Sequence, residues 1–308
     1  MTTNAIQSSH IYSTYFAPRG RSRIYTLGMQ IAQLYLSPFD QIIGFIGEAG
    51  SGKSVLIKGM FPGIELTNDD DGVNVRPLPL LEQEYETGFF TPHTYHLDIR
   101  FETGFHQLSE LADAVRLAVR RGKRIIIEHF DLIYPLLGVN ANLLIGVGEQ
   151  IVITRPNLFG PLPQELCDIV YPSLAYRLMA HSAEDLCEYA MTQEQMLACS
   201  HGDIRHGFVL EFNEHQPDID IPTLEARVNE LIRQDLPIDS YDESHILLGG
   251  AQHYCTGPRT HVRSTGRIIG FRLLDHFIYD HFHKTYMLVG CVGDDSEENI
   301  RKLETIHG

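Results

Sequence analysis

The stretch Gly47-Glu48-Ala49-Gly50-Ser51-Gly52-Lys53-Ser54 constrains this chain more than any other. It satisfies the pattern G-x-x-x-x-G-K-[ST] and has the flanks that pattern needs: residues 41–46 read as a buried strand and residues 55–60 as a short helix. Glycines at 47, 50 and 52 let the backbone turn tightly, so that successive amides point inward at an anion beside the positive end of the helix. Lys53 can reach terminal phosphates, and Ser54 offers a hydroxyl to Mg²⁺. Strand, phosphate-binding turn and helix in this order commit the first half of the chain to an α/β arrangement.

Periodicity extends that reading in both directions. Ile24, Leu27, Ile31, Leu34 and Tyr35 fall at helical spacing ahead of Pro38, and Arg19, Arg21 and Arg23 before them read as a solvated basic turn, with contact to phosphate or RNA as the alternative. Residues 63–67 predict a second strand that runs into Asn68-Asp69-Asp70-Asp71-Gly72. Carboxylates at the carboxyl end of a strand lie where open α/β sheets place their ligands, so Asp69 or Asp70 could accept a proton from an attacking hydroxyl; an Asp-rich turn is the plain alternative. Residues 96–101 predict a strand, and residues 108–121 a helix carrying Leu111, Val115, Leu117 and Ala118 on one face. Residues 125–131 predict an apolar strand ending in acid, with Glu128 the first candidate for the Mg²⁺ shell and Asp131 the second. Two further strands, at 143–147 and 150–154, complete a doubly wound parallel sheet.

A chain of 308 residues exceeds what one core usually organises, and Pro156, Pro161, Pro163 and Pro172 with Gly160 punctuate its middle. The expected division is therefore a domain over 1–165 and a second over 166–308. A net charge of -16 argues against broad binding to nucleic acid or to anionic membranes, while leaving room for a local patch that seats one RNA end. No apolar run is long enough to span a bilayer, and the N-terminus lacks a secretion signal. Five cysteines without framework spacing point to a reduced, cytoplasmic protein.

The second half turns helical from Ala175, and His181 and Asp185, four apart, share one face of that helix. A strand-like run at 202–212, a helix at 224–234 and a terminal helix opened by Asp294-Asp295 follow. Between the last two lies Tyr254-Cys255-Thr256-Gly257-Pro258-Arg259-Thr260-His261, with Ser264-Thr265-Gly266 beyond it.

Two resemblances follow from these motifs. The phosphate loop, the acidic run at Asp69-Asp70 and the segment Arg124-Ile-Ile-Ile-Glu128-His-Phe-Asp-Leu-Ile133 resemble the uridine kinase and phosphoribulokinase group of P-loop kinases over residues 40–155. That resemblance implies ATP or GTP with Mg²⁺ and a small-molecule phosphate acceptor, with Asp69 as base and Glu128 at the metal. The three motifs of the second half resemble the second additional domain of threonyl- and alanyl-tRNA synthetases, which hydrolyses mischarged aminoacyl-tRNA. Its order of motifs is kept over residues 175–295, with Asp185 where that family has a second histidine and Arg259-Thr260 lengthening the interval from Cys255 to His261.

The second resemblance implies that His181, Asp185, Cys255 and His261 converge. Imidazole, carboxylate and thiolate could together bind Zn²⁺, or orient a water against an ester carbonyl. The sequence thus leads to a nucleoside-kinase-like phosphotransferase with an α+β editing-like domain. Its alternatives are an aminoacyl-tRNA deacylase acting on the tRNA acceptor end, or a sensor of RNA ends or nucleotides that retains neither chemistry.

Overall fold

The computed structural model describes residues 12–64, 66, 94–213 and 215–307. They form two compact units, the described residues up to 172 apart from 18–20 making one and residues 18–20 with those from 173 onward the other. The first unit is built on a six-stranded sheet. Its strands are β1 (Ser13–Phe16), β2 (Ile42–Ile46), β3 (Thr94–Asp98), β4 (Arg124–Glu128), β5 (Leu143–Val147) and β6 (Gln150–Thr154), in the spatial order β1-β6-β5-β2-β4-β3.

Four neighbours, β5, β2, β4 and β3, run parallel. Every residue of β2 and β5 is buried, as strands covered on both faces require. Alternation divides β2 between two cores. Ile42 and Ile46 pack with Leu111, Val115, Phe130 and Ile133 from α4 (Leu108–Arg120) and α5 (Phe130–Leu137). Ile43 and Phe45 pack with Ile24, Ile31, Leu56 and Ile57 from α1 (Arg21–Tyr35) and α2 (Lys53–Met60). Helices thus lie on both faces, and β2 and β4, paired on both sides, run at their carboxyl ends into the turns that follow.

The sheet is mixed, not wholly parallel as the sequence suggested. β6 runs antiparallel to β5, and β1 antiparallel to β6. Gly148 and Glu149 alone join β5 to β6, and a parallel pairing needs a crossover of about a dozen residues. The strand expected at 96–101 spans Thr94–Asp98 instead, because the Asp98 carboxylate accepts a hydrogen bond from the Phe101 amide at 3.2 Å and starts the short helix α3 (Ile99–Glu102). The strand expected at 63–67 is not found at Gly63, Ile64 or Leu66, and Glu65 and Thr67, with Asp69 and Asp70, lie outside the described residues.

The proline-rich segment is not a linker. Pro163 opens α6 (Pro163–Ala190), where its missing N–H costs nothing, and Pro172 lies within that helix at the point where the two units part. The second unit has a five-stranded antiparallel sheet and a three-stranded one. In the larger, β7 (Cys199–Ile204) pairs with β8 (Gly207–Asn213). The smaller contains β9 (Ile238–Ser240), β10 (His245–Leu248) and β11 (Ala251–Tyr254). Its core gathers Ala183, Leu186 and Cys187 of α6 with Phe208, Leu210, Val228 and Cys255. Arg19, expected in a solvated turn, is buried here; its guanidinium donates to Asp203 Oδ1 at 2.7 Å and lies 3.7 Å from Glu184. Burial of an arginine is tolerated because both its neighbours are carboxylates. No helix among the described residues is long and apolar enough to cross a membrane.

Candidate functional site

The turn Gly47–Ser54 stands at the carboxyl end of β2. Gly47, Gly50 and Gly52 all have positive φ, at 155°, 79° and 88°. At Gly47 a side chain is also excluded sterically, since a Cβ would fall 2.5 Å from the Val147 carbonyl oxygen. Gly52 caps α2 in the left-handed region without a side-chain hydrogen bond, so the first amides of that helix face outward. Among the described residues, the amides of Gly50, Gly52, Lys53 and Ser54 donate to no other group.

Lys53 is folded back into this turn, its Nζ donating to the Gly47 and Glu48 carbonyls at 2.9 Å each and standing 3.7 Å from Glu128. Burial depresses its pKa, against the pull of Glu128 and Asp98. Ser54 Oγ donates to Glu128 Oε1 at 3.3 Å, and His96 Nε2 meets the same oxygen at 3.0 Å. Burial pushes the Glu128 carboxyl up, but His96 and Lys53 outweigh it, so the group stays ionised below its ordinary range. A hydroxyl beside a held carboxylate is a hard-oxygen pair that fits Mg²⁺, with phosphate and water completing the shell. Asp131 belongs to α5 and accepts from the Tyr171 hydroxyl at 3.3 Å.

In the second unit, the four residues suggested by the sequence do come together. His181 and Asp185 project from α6, Cys255 follows β11, and His261 lies in the loop beyond it. Cys255 Sγ is 3.4 Å from His181 Nε2 and 3.7 Å from His261 Nε2; Asp185 Oδ2 is 2.8 Å from His261 Nε2, and Oδ1 is 3.8 Å from His181 Nε2. Ligands of a tetrahedral Zn²⁺ stand roughly 3.3–3.7 Å apart, given its bond lengths. Most of these separations fall in or near that range.

The orientation of the rings supports the same reading. His181 Nδ1 faces the Thr260 carbonyl at 3.0 Å and His261 Nδ1 faces the Pro258 carbonyl at 3.2 Å. Each Nδ1 therefore carries the proton, and each Nε2 presents a lone pair to the centre, as metal-ligating histidines do. A lone pair of His261 against a carboxylate oxygen at 2.8 Å is two acceptors face to face, which a shared proton or a cation relieves. Burial, then His261, hold His181 well below the ordinary imidazole value. Burial works against Asp185 ionisation, yet the two histidines bring its pKa far below the carboxylate range. Burial and Asp185 push the Cys255 thiol far up, so only coordination would deprotonate it; the Gly257 amide already donates to its sulfur at 3.2 Å.

Sequence reasoning missed several neighbours. His96 was read as strand, yet it positions Glu128. His129, in the left-handed region with φ 56°, closes β4, and its buried Nδ1 has no hydrogen-bond partner among the described residues. Around Asp185, the residues Glu184, Glu188, His201 and His253 were not singled out. Burial raises the Glu188 carboxyl to about 7, with His201 opposing it. Two signals were available: Glu188 is three after Asp185 on a helix, and His253 is two before Cys255 at the end of a strand, so each shares a face with a chosen residue.

Fold and site together define a mixed α/β protein with a glycine-shaped turn of open main-chain amides in one unit and a buried His/Asp/Cys cluster in the other. Comparison with known protein families found no match, and comparison with curated proteins found none either.

Proposed function

We propose that the first unit binds a nucleoside triphosphate and transfers its terminal phosphoryl group, in the manner of P-loop kinases. The observation that carries this is the turn Gly47–Ser54, whose open amides, Lys53 and Ser54 lie beside Glu128 at the ends of adjacent parallel strands. In this reading Lys53 leaves the Gly47 and Glu48 carbonyls to meet the terminal phosphates, and the amides of 50–54 hold the remaining phosphate charge. Ser54 and Glu128 hold Mg²⁺, with His96 fixing the carboxylate. Mg²⁺, when bound, neutralises charge building on the phosphate oxygens. Asp69 or Asp70 is the base toward a small-molecule acceptor. The free thiols of all five cysteines fit a reducing compartment such as the cytoplasm.

Calorimetry with ATP and GTP, each with and without Mg²⁺, tests the reading, followed by a phosphoryl-transfer screen over nucleosides and sugars. Micromolar binding lost in Lys53→Ala supports it; binding that Lys53→Ala leaves unchanged removes it.

A second reading concerns the other unit: hydrolysis of an aminoacyl ester at a tRNA acceptor end. The convergence of His181, Asp185, Cys255 and His261 favours it. These residues would hold Zn²⁺, which supplies Lewis acidity when bound. The chain's own part is to fix both imidazoles through the Thr260 and Pro258 carbonyls, so that each Nε2 faces the centre where water and ester would meet. Release of amino acid from a panel of charged tRNAs, abolished in Cys255→Ala, is the expected result; no release from any of them would remove the reading.

A further inference from the structure

Asp185 belongs to more than the cluster just described. On its other side, one ligand atom each from Asp185, Glu188 and His253 lie within 4.8 Å of one another, all three residues buried. The geometry points to a second divalent-cation position here, bridged to the first by the Asp185 carboxylate.

Three observations carry this assignment. First, α6 places Glu184, Asp185 and Glu188 on one buried stretch, and their surroundings compensate them unequally. Glu184 has Arg19 at 3.7 Å and His201 at 3.4 Å. Glu188 Oε1 is taken by His201 Nε2 at 3.3 Å and by the Cys199 thiol at 3.8 Å, which leaves Oε2 to face inward. Second, Oε2 looks across 3.9 Å at His253 Nε2, too far for a hydrogen bond and near the spacing of two ligands on one ion. Third, His253 Nε2 is buried, at a residue 8% exposed, and has no hydrogen-bond partner among the described residues. A buried imidazole nitrogen without a partner is costly, so its place beside two carboxylates calls for a ligand.

One imidazole and two carboxylate oxygens suit a borderline ion such as Zn²⁺, Co²⁺ or Mn²⁺ more than Mg²⁺, which prefers oxygen alone. The first position, with a thiolate and two imidazoles, is the softer of the two. Two ions sharing a carboxylate form the kind of centre that clamps the attacking and leaving oxygens of a hydrolysed ester. The bridge rests on the reading of His181, Asp185, Cys255 and His261 as a metal site; the second position itself does not.

The test is elemental analysis of the full-length protein reconstituted with Zn²⁺ and, separately, Co²⁺, for the wild type and for His253→Gln, Glu188→Gln, Cys255→Ser and His261→Ala. Two equivalents are expected in the wild type. His253→Gln and Glu188→Gln should each retain one, with its cobalt–thiolate absorption intact, and weaken the other by more than the roughly 10–100-fold lost when an outer partner is removed. A circular dichroism spectrum matching the wild type confirms that each variant is folded, and two variants at the new position guard against one that is not. One equivalent in the wild type that survives both changes but is lost in Cys255→Ser overturns the second position and keeps the first. An equivalent lost in His253→Gln but kept in Cys255→Ser and His261→Ala supports the second position while removing the metal reading of the first. Two equivalents that survive both new-position variants, or no bound ion at all, overturn the proposal.

Discussion

The turn at Gly47–Ser54 and the cluster around Asp185 are both polar places set against apolar cores, yet they are assembled by opposite means. The turn is contiguous, and its donors are main-chain amides held open by three positive-φ glycines. The cluster joins side chains as far apart in sequence as Asp185 and His261, 76 positions, and its donors are imidazoles, a carboxylate and a thiol. A backbone site keeps its shape when most of its side chains change. A side-chain site depends on each member, because each compensates the burial of the others.

Substitutions can break this contrast. The largest effect is expected from His261→Ala, which leaves Asp185 buried beside a cavity. Urea unfolding monitored on the second unit should show about 2–5 kcal/mol of lost stability, the usual cost of truncating a large buried side chain to alanine. Ordinary surface-scale loss, below about 1 kcal/mol, would mean that the cluster is not a coupled unit.

Next in size is Lys53→Ala. It should weaken nucleotide binding about 100-fold, or about 2.7 kcal/mol, in calorimetry, and should lower the melting temperature as well, because the buried Glu128 carboxylate loses its ammonium neighbour. Here the cradle survives and only its ammonium is gone.

A matched pair of glycine changes sharpens the comparison further. Gly47→Ala places a methyl 2.5 Å from the Val147 carbonyl, and Gly257→Ala places one 2.3 Å from the Arg19 carbonyl and 2.9 Å from His181 Cε1. Each should cost about 1–3 kcal/mol through overpacking, with Gly47→Ala reducing nucleotide affinity and sparing metal content, and Gly257→Ala doing the reverse. Cross-effects of equal size would show that the two sites do not act separately.

The smallest expected effect is one of pH. Burial, with Asp98 adding to it, raises the Glu102 carboxyl in the first unit to about 7. Between the ordinary carboxyl value, about 4.3, and that raised value the folded state holds the extra proton, so stability falls as pH rises through the window. Melting temperatures measured from pH 4 to 8 should show this decline, and Glu102→Gln should flatten it.

Much of this was legible in the primary structure. β5 and β6 occupy the residues their apolar runs suggested, and His181, Asp185, Cys255 and His261 do meet. The direction of β6 was misread although its cause was in plain view, since the two residues between Val147 and Gln150 are too few to return a chain to the parallel sense. Arg19 was misread for a different reason. Nothing near it in sequence announces Asp203 or Glu184, its partners 184 and 165 positions onward. His96 and His253 were overlooked because a lone histidine in a strand carries no local mark of what stands opposite.

What the amino-acid order settled by itself is therefore the local part: where strands and helices fall, and a glycine-spaced turn that bares its own amides. Those follow from steric limits and periodicity acting within a few residues. The pairing sense of the edge strands, the burial of Arg19, and the company kept by Asp185 were decided when distant segments packed. Their energies come from desolvated charges finding each other, and no short window of sequence contains both partners.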